Sequence, residues 1–191
     1  MDILKQRIAE QGVILSNQTL QLDALLNHQV DPKLIMEIGQ EFARRFKEER
    51  ITKVLTIESS GITVAFATAL ELGVPLVFAR RKKTLTTDGE VWCERVPSFT
   101  KGIVTDILIS KNVLSSQDRV LLIDDIIANG DAARGLIRIL ERAEAELAGV
   151  GVVVEKSFQA GARLIREMGY RFESIVSIKS LEGGAVQFES Q

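Results

Sequence analysis

The stretch that most constrains this chain is Val120-Leu121-Leu122-Ile123-Asp124-Asp125-Ile126-Ile127-Ala128-Asn129-Gly130-Asp131-Ala132. An unbroken aliphatic run just ahead of a helical pattern predicts a parallel strand buried on both faces. Asp124 and Asp125 then stand at the carboxyl edge of a sheet, where α/β folds place their ligands. Two adjacent carboxylates are oxygen acceptors suited to sugar hydroxyls or to hydrated Mg²⁺. Residues 128–132 lead into a helix, predicted over 132–145. Free backbone N–H groups and the positive end of the helix dipole make such an entry a phosphate cradle. Gly130 allows the tight turn. A diol reader beside a phosphate reader describes a ribose 5-phosphate site.

The rest of the pattern is strand–helix–strand with short connections. The spacing predicts a helix over 2–11 with Ile3, Leu4 and Ile8 inward, stopped at Gly12. Residues 13–30 read as irregular and as too polar to bury themselves alone, hence a small hood over the main body. Asp31-Pro32 is a cap followed by proline, which starts a helix reaching to about residue 49. Residues 53–58 and 74–79 read as strands around a helix over 62–72, a right-handed parallel βαβ unit. A strand over 149–155, a helix over 162–168, a strand over 170–178 and an edge piece at 186–188 follow. The expected fold is therefore α/β, a twisted, mostly parallel sheet flanked by helices, in a single domain over 1–191.

Residues 80–101 break this alternation. The cations Arg80, Arg81, Lys82 and Lys83 precede a polar segment and then a weakly alternating run, which suggests an extended hairpin outside the sheet. It would act as a flexible lid over an anionic ligand. Ser59-Ser60-Gly61 forms a second strand-to-helix turn with anion-binding potential. Lys156, at the end of another buried strand, offers an ammonium donor at the same edge. His28 reads as a solvated loop residue.

Composition excludes several classes. The 191 residues carry a net charge of −2, which argues against a general nucleic-acid binder. One cysteine and one histidine leave neither an internal disulfide nor a Cys-His nucleophile pair, and suit a reducing cytoplasm. No apolar run is long enough for a membrane span, and the start of the chain lacks the shape of a signal peptide. The Gly-x-x-x-x-Gly-Lys-Ser/Thr and Gly-x-Gly-x-x-Gly fingerprints are absent.

The stretch 120–132 closely resembles the phosphoribosyl-pyrophosphate (PRPP) motif of type I phosphoribosyltransferases. Asn129 and Ala132 stand where that motif usually has threonines, and the Ala-Asn-Gly variant is similar to the xanthine branch of the family. The resemblance extends over nearly the whole chain and implies transfer of 5-phosphoribose from PRPP to a purine nitrogen. It gives Asp124 and Asp125 the ribose hydroxyls and the developing positive charge. Ala128, Asn129, Gly130, Asp131 and Ala132 receive the 5-phosphate. Ser59, Ser60, Gly61, Arg80 and Lys83 receive the pyrophosphate, and Leu20, Asn27 and Lys156 the base. It further implies Mg²⁺ bound with PRPP or pyrophosphate, with no direct protein ligand assigned, and a cytoplasmic homodimer in purine salvage. Asp131 departs from an anion loop and is expected to point outward. A hypoxanthine or guanine enzyme is one alternative. A sensor of the same ligand that regulates transcription is another, disfavoured because the chain opens almost at once on the hood.

Overall fold

The computed structural model describes residues 2–81, 90–98 and 103–189. Its centre is a six-stranded sheet in the order β10-β9-β8-β7-β3-β4. The strands are β3 (Lys53–Ile57), β4 (Leu76–Ala79), β7 (Arg119–Ile127), β8 (Glu146–Lys156), β9 (Phe172–Ser180) and β10 (Gln187–Phe188). All run parallel except β10, which pairs antiparallel with β9. From β3 the chain steps outward to β4, whereas from β7 it steps the other way to β8 and β9. The boundary between β3 and β7 is thus a topological switch point, where the loops on either side diverge and open a crevice.

Side chains of β7 alternate between two cores. Leu121 and Ile123 face the cluster built with α2 (Pro32–Phe46) and α3 (Gly61–Leu72), while Val120 and Leu122 face the cluster built with α4 (Asp131–Arg142) and α5 (Gly161–Glu167). All four are fully buried. Asp31 caps α2 as its sequence predicts, accepting from the Lys33 and Leu34 amides at 3.0 and 3.3 Å. Leu34, Ile35, Ile38, Phe42 and Phe46 form the buried stripe of that helix.

Several expectations need correction. The central strand does not stop at the aspartates: β7 continues through Ile127, so Asp124 pairs in register with Val152 and Ile127 with Glu155. The apolar pair Ile126-Ile127 supplies the extra strand length. The helix begins at Asp131 and ends at Arg142, shorter than the span to 145. Ile3 of α1 (Asp2–Gln11) is 46% exposed rather than inward. The hood is also more regular than its composition suggests. It contains an antiparallel hairpin, β1 (Val13–Ser16) and β2 (Thr19–Gln21), followed by a π-type turn over Asp23–Asn27. Leu20, Leu22, Leu25 and Leu26 gather from across this segment into the core, which no local periodicity reveals.

The second hairpin stands outside the main sheet as expected. β5 (Val91–Ser98) and β6 (Ile103–Ser110) pair over their whole length. Glu94 of β5 bonds Arg138 of α4 at 2.6 Å, and a Cβ on Gly135 would come within 2.4 Å of Val96 Cγ2. β5 is therefore pressed onto α4 through Glu94 and Val96. Residues 82–89 and 99–102, which include half of the expected lid and Lys83, lie outside the described residues.

Candidate functional site

β3 and β7 are neighbours, so the segments that leave their carboxyl ends meet. The segment after β7, residues 128–130, turns through Gly130 at φ 75° and enters α4. Its carbonyls all point away from the crevice. The Ala128 carbonyl accepts from the Gly161 N–H at 2.9 Å, the Asn129 carbonyl from Arg134 Nη1 at 2.9 Å, and the Gly130 carbonyl from the Arg134 N–H at 2.9 Å. The N–H groups of Ala128, Asn129, Gly130, Asp131, Ala132 and Ala133 have no protein partner among the described residues. Four orphan donors are normal at a helix start; here the preceding loop adds to them. The outcome is a concave row of open amides with the helix dipole behind it.

The row lines a cavity of ≈ 170 Å³. Asp124, Val96 and Pro97 of β5, and Arg81 line it as well. Asp125 is buried at 7% exposure, and its amide donates to Asp124 Oδ1 at 2.9 Å. Burial first, and the neighbouring Asp125 carboxylate second, push the Asp124 carboxyl well above the usual carboxylate range, with Arg81 pulling modestly the other way. A group held so wants a cation or hydroxyl donors.

The turn after β3 closes on the same carboxylate. A Cβ on Gly61 would meet Asp124 Oδ1 at 2.5 Å and Thr56 Oγ1 at 2.6 Å. Only a residue without a side chain lets α3 start this close to Asp124. The amides of Ser59, Ser60 and Gly61 have no protein partner among the described residues, a second set of donors beside the first. The Glu58–Ser59 peptide is cis.

The fate of the nearby cations differs from expectation. Arg80 turns to Glu58, with Nε 3.0 Å from Oε2, and its backbone bridges to Leu108. It is Arg81, passed over in the sequence, that reaches the cavity wall, its own amide fixed on Glu58 Oε1 at 2.6 Å. Four adjacent cations give no sequence signal for which one turns inward; the bridge at Arg80 decides it by setting the alternation. Asp131 does not point outward. Its carboxylate lies 2.6 Å from Arg134 Nη2 and its side chain is only 12% exposed. Arg134 was missed because an arginine three residues into a helix looks like any solvated helix position.

The base-side residues are gathered more loosely. Lys156 ends β8, is 7% exposed, and donates from Nζ to the Gln18 carbonyl in the hood hairpin at 2.9 Å. Burial lowers its pKa below the ordinary 10.5. Gln159 Nε2 reaches the same carbonyl at 3.5 Å. Leu20 is 5% exposed and belongs to the hood core. Asn27 ends the π-type turn and is exposed, as is His28. Among the described residues no three His, Cys, Asp or Glu side chains converge as metal ligands, and no helix is long and apolar enough to cross a membrane.

The chain is similar to known proteins in both sequence and fold. The Phosphoribosyl transferase domain matches residues 21–190. A xanthine phosphoribosyltransferase of Moorella thermoacetica is 51% identical over 98% of this chain and 96% of its own. One from Bacillus cereus is 51% identical over 100% of this chain and 97% of its own. Among solved structures, an adenine phosphoribosyltransferase of Giardia lamblia complexed with 9-deazaadenine superposes with TM-score 0.72 at 25% identity, covering 83% of this chain and 86% of that one. The Saccharomyces cerevisiae enzyme shares the fold at TM-score 0.73 and 24% identity, over 92% and 99% of the two chains. A family match over most of the chain, together with open amides and an acidic pair at the switch point of a parallel sheet, establishes that this chain belongs to the phosphoribosyl transferase domain family.

Proposed function

We propose that the protein transfers the 5-phosphoribosyl group from PRPP to xanthine, giving xanthosine 5′-monophosphate and pyrophosphate. The observation that carries this is the loop 128–130, whose carbonyls are tied back while its amides open beside Asp124. The 5-phosphate takes those amides, and Asp124 and Asp125 take the ribose hydroxyls. The bond from C1′ to the pyrophosphate oxygen breaks and a bond from C1′ to a purine nitrogen forms, the proton of that nitrogen passing to pyrophosphate or solvent, through a cation-like ribose that the two carboxylates steady. No covalent nucleophile is needed, because alignment of two bound reactants provides much of the rate. Ser59, Ser60, Gly61 and Arg81 face the leaving pyrophosphate, with Arg80 and Lys83 as the further cations of the sequence reading.

Mg²⁺ fits this site as a passenger of the substrate. Asp124 lines the cavity with carboxylate oxygens that would accept from a hydrated ion, and phosphate oxygens would provide the remaining ligands. When bound, the ion neutralises charge on the leaving group. Support for xanthine comes from the names of relatives at 51% identity and from Lys156, a donor aimed at a carbonyl oxygen. A site built around such donors disfavours a base with an amine at that place. Asn27 and Leu20 complete the proposed base side. The single domain, cytoplasmic location and homodimer belong to the same proposal. Exposed Phe66, Leu70, Phe78 and Val113 offer apolar surface for a second copy.

The test is pyrophosphate release with PRPP and Mg²⁺ on a panel of xanthine, guanine, hypoxanthine, adenine and orotate. Xanthine is expected to give the highest kcat/KM. PRPP binding without turnover on any base would make the protein a sensor instead.

A further inference from the structure

An anion loop must solve a problem that its sequence does not show. Each peptide that points its N–H at a phosphate has a carbonyl that needs a partner elsewhere, since an unpaired buried carbonyl is costly. In loop 128–130 one side chain solves much of it. Arg134 Nη1 takes the Asn129 carbonyl at 2.9 Å, and its Nη2 is held by Asp131 Oδ1 at 2.6 Å. The Arg134 amide takes the Gly130 carbonyl at 2.9 Å. The Gly161 N–H takes the Ala128 carbonyl at 2.9 Å, and a Cβ on Gly161 would strike Ala128 O at 2.5 Å and Gly130 N at 2.7 Å. The loop is thus held from behind by one guanidinium and one glycine.

We propose that Arg134 is a positioning residue for the 5-phosphate loop: oriented by Asp131, it draws the Asn129 carbonyl backward so that the neighbouring amides face the anion. This accounts for a carboxylate in a loop that binds an anion. The Asp131 carboxylate is no ligand; it neutralises the guanidinium, and the fork of arginine can hold carboxylate and carbonyl together, as lysine cannot. An ordinary i,i+3 ion pair on a helix surface would be worth only a few tenths of a kcal/mol and would not touch the loop. The inference rests on the phosphoribosyl reading above, so its test separates the two.

The experiment compares Arg134→Met, Asp131→Ala and Asp131→Asn with the parent chain. Readouts are KM for PRPP, KM for xanthine, thermal midpoint, and calorimetric binding of ribose 5-phosphate alone. Arg134→Met should raise KM for PRPP and weaken ribose 5-phosphate roughly tenfold, with KM for xanthine within about twofold. Asp131→Ala should move in the same direction, about threefold, and Asp131→Asn by distinctly less, because its amide oxygen still accepts from Arg134. Tighter PRPP binding in Asp131→Ala would overturn the proposal, since Asp131 would then merely repel the ligand. So would an unchanged KM for PRPP in Arg134→Met, or an equal rise in both KM values with a fallen midpoint. If Arg134→Met does not fold, the contrast between the two Asp131 variants decides. A parent chain that binds ribose 5-phosphate but turns over no base fails the function and leaves the brace testable by calorimetry.

Discussion

The loop after β7 and the loop after β8 leave the same edge of the sheet two strands into one half of the fold, yet they stand in opposite states. In the first, amides are open and carbonyls are occupied, so an anion can dock without disturbing the chain. In the second, the functional donor is already engaged: Lys156 holds the Gln18 carbonyl of the hood. On the proposed reading, the 5-phosphate of PRPP meets a prepared surface and the base must displace a contact. Preorganised donors favour tight binding because little is reorganised on arrival. On the proposed reading the base end discriminates, since only a ligand that offers Lys156 an equivalent oxygen repairs what it breaks.

The largest expected effect lies at the prepared end. Replacing Asp124 and Asp125 together by Asn should lower kcat/KM by about 100-fold or more, because the amides still accept from the ribose hydroxyls but no longer bring negative charge to the cation-like ribose. Steady-state kinetics with saturating base would show it, and a loss under about threefold would mean the carboxylates only shape the strand. Gly130→Ala comes next. Its φ of 75° and a Cβ lying 2.8 Å from Gly161 Cα force strain of about 1–3 kcal/mol. That is roughly a 5- to 150-fold rise in KM for PRPP if it falls on binding. Equal stability and KM would show the loop to be pliable and the contrast with the base end false.

Lys156→Ala sharpens the other side of the comparison. It should cut kcat/KM for xanthine by at least about tenfold, roughly 1.4 kcal/mol, while KM for PRPP stays within about twofold. Unchanged efficiency would remove Lys156 from base reading. The smallest effect belongs to neither loop. Glu41 on α2 is held by Arg44 and Arg45, its pKa lowered to about 2 from 4.5. A lowered folded pKa stabilises above the unfolded value and loses that contribution as pH falls. Glu41→Gln should therefore cost about 0.5–1 kcal/mol at pH 7, discounted for its partial exposure, and the difference should vanish between pH 4.5 and about 2 in denaturant titrations. A variant that lost PRPP affinity here would mean the scaffold, rather than the loop, sets the prepared state.

How legible this was in the sequence follows the range of the interactions. Val120 to Ile123 announced a buried strand because both faces were aliphatic. Asp31-Pro32 announced a helix because capping is local. The extent of β7 past the aspartates was hidden, since whether Ile126 and Ile127 continue a strand depends on β8 being there to pair with them. The hood hairpin was hidden for the same reason: its leucines find their partners across space rather than at a fixed spacing. Within the site, the glycine and the acidic pair were readable by residue type. Arg81 and Arg134 were not, because charged residues in a run or on a helix differ only in where the fold aims them.

The account depends most on the 5-phosphate seating on the backbone of 128–132. The direct measurement is a titration of the ¹⁵N-labelled protein with ribose 5-phosphate, following every amide resonance. The largest shifts should fall on Asn129, Gly130, Asp131 and Ala132, with Arg134 close behind. Shifts concentrated elsewhere, with those amides unmoved at saturation, would contradict it.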